Sequence, residues 1–214
     1  MKKLMIALAI VAIASVAQAE LLSTWGTFTG GNAAVTAVNS SAANYAQVTW
    51  GDLSRGGQAM GVQTTAAGNF AANNWTGTGY FYLTATVASG YQIANADIRY
   101  TVNGTGTGPG TMAWSLNGTT LNAGHAITSV SGGVAYTDTI PTMAAGVNSL
   151  TFDHVGTLNQ SGTAAFASGG GIRLLTAVTV NGDIQNVGPV PEPATMSLLG
   201  LGALAMILRR KMSK

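Results

Sequence analysis

The chain has 214 residues, no cysteine and only 7% charged residues. The lack of cysteine excludes a disulfide framework and thiolate metal centres, so a hydrophobic core must stabilise the fold. Between residues 20 and 188 there are three arginines, no lysine and six acidic residues. This balance argues against nucleic acid as a partner, because phosphate binding needs clustered Lys and Arg.

The N-terminus has the three parts of a secretory signal peptide. A basic start precedes an uncharged run over residues 4–16, and the small residues Ala17 and Ala19 stand at the cleavage position. We therefore predict that signal peptidase removes residues 1–19 during export across the inner membrane, so that the mature chain begins at Glu20. The alternative, an amphipathic helix of the folded domain, would need a polar face that this run lacks.

Residues 20–188 are long enough for one domain with a buried core. No stretch of this region combines helical apolar spacing with caps over three turns. Alternation typical of half-buried strands is clearest in four runs: residues 80–87, 91–102, 134–140 and 172–180. Many short strands with frequent turns predict an all-β ectodomain, a single β-sandwich or jelly roll.

Glycine-containing pairs between these runs predict turns. Asn117-Gly118, Gly132-Gly133 and Asn181-Gly182 are such pairs, and Asn-Gly favours the positive φ angles of two-residue hairpins. The glycine-rich segment 104–110 matches neither common phosphate-loop pattern and precedes no helix. We therefore predict that it is a hairpin loop.

Candidate catalytic groups are few, and no G-x-S-x-G nucleophile motif occurs. A glycosidase pair of carboxylates would have to come from five aspartates, because Glu20 lies at the mature terminus: Asp52, Asp97, Asp138, Asp153 and Asp183. Asp153 and His154 adjoin, but neighbours on a strand point to opposite faces, so without a bulge they should not share a site. Both histidines, His125 and His154, are expected on the surface or in loops. No metal site and no cofactor are predicted.

Two of the four tryptophans suggest different roles. Trp114 shares one face of a strand-like run with Met112 and Leu116, so we expect it in the core. Trp75 lies in a polar, turn-like stretch shortly before Tyr80. We therefore expect Trp75 and Tyr80 to form an exposed aromatic platform for a neutral or weakly basic glycan.

The C-terminus combines a Pro-Glu-Pro segment, an uncharged run and a basic end. The run from 193 to 208 would span about 24 Å as a helix, somewhat less than a hydrocarbon core of about 30 Å. Snorkelling of the basic side chains and local thinning of the bilayer can close this gap, with the cations on the cytoplasmic side. The candidate sorting and processing residues are Val190, Pro191, Glu192, Pro193, Ala194, Arg209, Arg210 and Lys211.

These three parts closely resemble the PEP-CTERM sorting signal of Gram-negative bacteria that make exopolysaccharide. The resemblance implies recognition near Pro-Glu-Pro by an exosortase, a membrane-embedded protease or transpeptidase. It also implies a transient C-terminal membrane anchor, a transmembrane sorting helix within residues 189–214, followed by release or transfer to the cell surface or exterior. A plain anchor would need neither the Pro-Glu-Pro nor so short a span. Residues 107–121 and 169–182 also resemble parts of jelly-roll ectodomains often carried by PEP-CTERM proteins.

Two functions remain open from the sequence. The first is a non-enzymatic surface or biofilm-matrix protein associated with exopolysaccharide, and the second is a secreted hydrolase that acts on such polymers. The scarcity of acids and bases favours the first, because general acid–base catalysis needs positioned titratable groups.

Overall fold

The computed structural model describes residues 19–26, 28, 34–35, 38–39, 46–57, 61–62, 69–73, 75, 79–165 and 170–188. The predicted sorting helix and the predicted signal peptide, except Ala19, lie outside these residues. The part of the chain that the structure describes contains no helix that could span a membrane.

Every regular element in the described ranges is a β-strand. In chain order the strands are β1 (Glu20–Trp25), β2 (Ala34–Val35), β3 (Val38–Asn39), β4 (Val48–Trp50), β5 (Leu53–Gly56), β6 (Gly61–Val62), β7 (Phe70–Asn73), β8 (Tyr80–Val87), β9 (Tyr91–Gly104), β10 (Thr111–Leu116), β11 (Thr119–Thr120), β12 (His125–Ala126), β13 (Val134–Ile140), β14 (Gly146–His154), β15 (Ile172–Leu174) and β16 (Val178–Asn186).

Within the described residues these strands form two antiparallel sheets of eight strands each. Sheet I has the order β3-β1-β16-β9-β15-β7-β6, and β13 also pairs with β9. Sheet II has the order β11-β10-β14-β8-β5-β2, with β12 also on β10 and β4 also on β8. The two sheets face each other across one core, so the prediction of an all-β sandwich is confirmed.

Side chains alternate between the core and the outer faces. In β8 the residues Phe81, Leu83, Ala85 and Val87 are buried, and those between them are half-buried or exposed. This period of two is the pattern of a strand with one face on a core. All four tryptophans of the chain are buried: Trp25, Trp50, Trp75 and Trp114.

The predicted strands agree well with the observed ones. Runs 80–87 and 134–140 match β8 and β13, and the predicted run 91–102 extends two residues further in β9. The run 172–180 is divided between two strands, β15 and β16, because the chain leaves the sheet at residues 175–177. The turn at Asn117-Gly118 is confirmed, with φ angles of 50° and 82°, and it joins β10 to β11.

The predicted turn at Asn181-Gly182 is wrong. Both residues lie inside β16, where the register with β9 shifts between Asn181 and Asp183. A Cβ atom on Gly182 would lie 3.0 Å from Ile93 and 3.1 Å from Ala96, so this glycine serves the close approach of two strands at a bulge.

Candidate functional site

The outer face of sheet II carries small and hydroxylated side chains. In β10 the residues Met112, Trp114 and Leu116 point into the core, so Ala113 and Ser115 belong to the opposite face. These side chains border a cavity of about 300 Å³, which lies over β10, β11 and β14. It is lined by Ala113, Ser115, Gly118, Thr120, Thr151, Asp153, His154 and Val155.

A row of paired residues leads from this cavity to two tyrosines on the same face of sheet II. Ser115 pairs with Thr151, and Thr151 pairs with Tyr82. The Ser115 and Thr151 hydroxyl oxygens lie 2.5 Å apart. Tyr82 and Tyr80 belong to the same outer face and contact each other edge to face, with ring centroids 5.8 Å apart. Polar hydroxyls and a pair of half-buried aromatic rings are therefore neighbours on this face.

Asp153 and His154 form a contact beside this row. Asp153 Oδ1 accepts a hydrogen bond from His154 N at 2.6 Å and lies 2.7 Å from His154 Nδ1. The expectation that the two side chains would not share a site is wrong, since both line the cavity. Both residues are paired with β10, but His154 is the last residue of β14, and its imidazole reaches the Asp153 carboxylate.

The Asp153 carboxylate is accessible to a ligand. Its side chain is 44% exposed, whereas that of His154 is 16% exposed. Phe81 pairs with Phe152, so Tyr80 and Asp153 are the next residues along two neighbouring strands on the outer face. The arrangement thus provides hydrogen-bond acceptors and hydroxyls next to two tyrosine rings.

A second cluster of polar side chains surrounds the buried Asp138. Asp138 of β13 is 4% exposed, and its Oδ1 accepts hydrogen bonds from His125 Nε2 and Asn122 Nδ2, both at 2.6 Å. Its Oδ2 accepts one from the Tyr100 hydroxyl at 2.9 Å. The His125 ring stacks on Tyr136, with centroids 4.0 Å apart. Because His125 lies on β12, this cluster joins sheet II to sheet I.

The electrostatics of this cluster are consistent with a structural role. Burial raises the pKa of Tyr100, and the adjacent negative charge and hydrogen bond of Asp138 raise it further. Burial also raises the pKa of Tyr136. The expectation that His125 lies on the surface or in a loop is wrong, because its strand brings the ring against a buried carboxylate.

The prediction that segment 104–110 is a hairpin loop is wrong, because the segment joins β9 of sheet I to β10 of sheet II, and these two strands do not pair. Its backbone amides donate within the protein. Gly104 N donates to Thr128 O at 3.1 Å, and Thr105 N donates to Gly171 O at 2.9 Å. Gly108 N and Gly110 N donate to Thr105 O and Leu158 O. These four amides are therefore not available to cradle a phosphate group.

The expectation that Trp75 and Tyr80 form an exposed platform is wrong for Trp75. Trp75 is fully buried, and its ring packs edge to face on Phe81 at 5.0 Å. Its polar neighbours in sequence do not determine its burial, because the ring packs against the buried Phe81 of β8. Tyr80 is half-buried on the outer face, and its ring covers Gly56 of β5. The expected burial of Trp114 is confirmed.

Sequence reasoning missed Tyr82 as a partner of Tyr80. The signal was present, because residues two apart on a strand share a face. Apart from Asp153 and His154, the residues that line the cavity could not be assigned from the sequence, since their proximity depends on the pairing of β10, β11 and β14.

The two histidines of the described residues each contact one aspartate. No group of three or more His, Asp or Glu side chains that could hold a metal ion occurs in the described ranges. On the outer face of sheet I, Asn181 Nδ2 donates to Asp97 Oδ1 at 2.7 Å, and Asn95 Nδ2 donates to Asp183 Oδ2 at 2.8 Å. These two aspartates are thus held by side-chain amides.

The residues expected to direct export and sorting lie at the two ends of the chain. Ala17 and the whole segment from Val190 to Lys211 fall outside the described residues. Ala19 is described and exposed, directly before β1.

Comparison with solved structures finds several carbohydrate-binding modules. One is the module CBM36 in complex with calcium and xylotriose, with 11% identity, 64% of this chain and 98% of that chain covered, and a TM-score of 0.36. Another is the CBM36-1 domain of a multidomain xylanase from the hindgut metagenome of Trinervitermes trinervoides, with 13% identity, coverages of 64% and 97%, and a TM-score of 0.37. A third is CBM35 from Cellvibrio japonicus Abf62, with 19% identity, coverages of 67% and 95%, and a TM-score of 0.33. TM-scores this low carry no conclusion about what this chain binds.

Comparison of the sequence with curated proteins finds no match. Comparison with protein families matches residues 189–211 to the PEP-CTERM protein-sorting motif. This range contains the Pro-Glu-Pro residues and the first basic residues after the apolar run, as the resemblance required. The chain therefore carries a PEP-CTERM protein-sorting motif, which implies export and exosortase-mediated sorting to the cell surface.

Proposed function

We propose that this protein is an exosortase-processed component of the cell surface or extracellular matrix that binds exopolysaccharide without cleaving it. Its binding site is the outer face of sheet II, over the cavity and the two tyrosines beside it. In this proposal residues 1–19 are the signal peptide, residues 20–188 are the binding domain and residues 189–214 are the sorting segment.

The observation that carries this proposal is the pairing of Ser115, Thr151 and Tyr82 in one row across three strands. Sugars present hydroxyl groups at the ring edge and C–H groups on the ring face. Hydroxyl and carboxylate side chains match the edge, and aromatic rings match the face. The row provides both kinds of contact within the width of neighbouring strands, which are about 5 Å apart.

The charges of this surface favour a neutral glycan. Asp153 accepts hydrogen bonds from sugar hydroxyls, but it repels a uronic acid or another anionic group. The three arginines and six acids between residues 20 and 188 give the whole domain a negative charge, which further disfavours an acidic polymer.

Hydrolysis is the weaker candidate. A glycosidase needs two carboxyl groups about 5–9.5 Å apart on either side of the scissile bond. Among the described residues that line the cavity, Asp153 is the one carboxylate. Binding without cleavage is therefore the function that this geometry supports best.

Retention of the mature protein on the host exopolysaccharide tests this proposal. Tyr82→Ala, Tyr80→Ala and Asp153→Asn should each weaken retention about tenfold or more, which corresponds to about 1.4 kcal/mol. Arg99→Ala changes the outer face of sheet I and is the matched control, since the Arg99 side chain is 59% exposed. Unchanged retention in all three variants would reject this surface, and release of reducing ends from the polymer would favour the hydrolase.

A further inference from the structure

The sandwich holds the chain firmly at the point where the sorting motif leaves it. Asn186 ends β16 and pairs with Tyr91, and Val187 N donates to Gly90 O at 2.8 Å. Gly188 N donates to Asn186 Oδ1 at 2.8 Å. The chain is therefore attached to the turn between β8 and β9 until just before the sorting motif begins.

The link from this attachment to the Pro-Glu-Pro residues is very short. Four peptide units separate Val187 from Pro191. An extended chain advances at most about 3.6 Å per residue, so the two Cα atoms can be no more than about 14 Å apart. An enzyme whose active site reaches Pro191 must therefore lie against the sandwich, unless the end of β16 separates from β9.

We propose that the end of the sandwich around this exit is a docking surface for the exosortase. This exit face consists of the turn 88–90, residues 141–147 and residues 186–188. The three segments are neighbours, because Gly146 pairs with Val87 directly before the turn. Met143 and Ile93 also exchange two backbone hydrogen bonds of 2.9 Å, which fix residues 141–147 against β9.

The chemistry of the exit face suits another protein. None of its residues is charged, and Ala144 and Ala145 are small and exposed. Val147 is 71% exposed and Val187 is 48% exposed. Lysine and arginine would favour binding of the exit face to lipid headgroups, but this face has neither. An uncharged face with small side chains and exposed valines instead permits close packing against an enzyme.

The rate of C-terminal processing in a host that makes the exosortase tests this proposal on the full-length chain. Val147→Glu should lower the processing rate about fivefold or more, because a carboxylate in such a contact loses its hydration. Leu158→Glu is the matched control, since Leu158 is 54% exposed and lies beyond the opposite end of β14. Thermal unfolding must be equal in the two variants. Equal processing rates of Val147→Glu and Leu158→Glu would overturn the proposal.

Two further measurements test whether the exosortase is the partner that binds the exit face. A Gly-Ser insertion of about six residues after Gly188 extends the link by about 20 Å, so it should abolish the difference between Val147→Glu and its parent. Val147→p-benzoylphenylalanine should form a photo-crosslink to the exosortase, whereas the same substitution at Leu158 should not. Crosslinks from residue 147 to lipid alone, or to no partner, would overturn the proposal. These readouts are independent of glycan retention, so they do not depend on the proposed binding function.

Discussion

The Tyr100 hydroxyl donates a 2.9 Å hydrogen bond to the carboxylate of Asp138 inside the sandwich. The two residues are diagonal neighbours, because Tyr100 pairs with Tyr136 across β9 and β13 and Asp138 follows two positions later on the same face. The Tyr100 ring also packs edge to face on Phe152 of the other sheet, with centroids 5.2 Å apart. This hydrogen bond therefore stabilises the region where the two sheets meet.

The stability of the protein should fall in alkaline solution because of Tyr100. Burial and Asp138 raise the pKa of Tyr100 above its ordinary value of 10.0. Above about pH 10 the unfolded state therefore releases the phenol proton while the folded state retains it, and the free energy of unfolding decreases as the pH rises. Urea unfolding between pH 8 and pH 11 measures this slope. The slope should be smaller in Tyr100→Phe than in the parent.

Removal of the Asp138 side chain should be strongly destabilising. Asp138→Ala leaves the buried Tyr100 hydroxyl without its acceptor, which costs about 1–3 kcal/mol, and it also removes the acceptor of the half-buried Asn122 and His125 side chains. Asp52→Ala is the control, because Asp52 is exposed. Equal unfolding free energies for the two variants at pH 7 would contradict the assignment of the cluster as a joint between the sheets.

Truncation of either Trp75 or Trp114 should destabilise the domain by about 3–5 kcal/mol, because each ring fills part of the core. Both side chains are fully buried. Chemical denaturation measures the loss, and Arg99→Ala, on an exposed position, should change the stability by less than about 0.5 kcal/mol. A folded Trp75→Ala variant with parental stability would restore the possibility that this ring is a ligand platform.

The contrast between Trp114 and Trp75 shows which features the sequence could predict. Trp114 alternates with Met112 and Leu116 along one strand, so its burial follows from local periodicity. Trp75 has polar neighbours, and its ring packs on Phe81 of β8, a contact that the local sequence pattern does not indicate. The local sequence pattern predicts on which face of a strand a residue lies, whereas the burial of a loop residue depends on tertiary packing.

The pairs Asn117-Gly118 and Asn181-Gly182 differ for a similar reason. Asn117-Gly118 lies between runs that pair with each other, so the hairpin preference of Asn-Gly determines the structure. Asn181-Gly182 lies where β16 continues along β9, and there the glycine allows a bulge instead. The choice depends on which strands become neighbours, and the sequence pattern alone does not contain this information. Apart from Asp153 and His154, the cavity residues were missed because they come from three strands whose pairing sets their proximity.

The last prediction concerns maturation of the exported protein. Cleavage after Ala19 should produce a chain that starts at Glu20, and exosortase processing should remove the segment beyond the Pro-Glu-Pro residues. Mass spectrometry of the native protein measures both ends, and intact residues 209–214 on most mature molecules would reject the second cleavage. Glu192→Ala should block this step and leave the protein in the inner membrane, because it removes the one acidic side chain of the sorting segment. The control is Asp183→Asn, which removes a nearby carboxylate from β16 while preserving the shape of the side chain. Normal release of Glu192→Ala would show that the exosortase does not recognise this carboxylate.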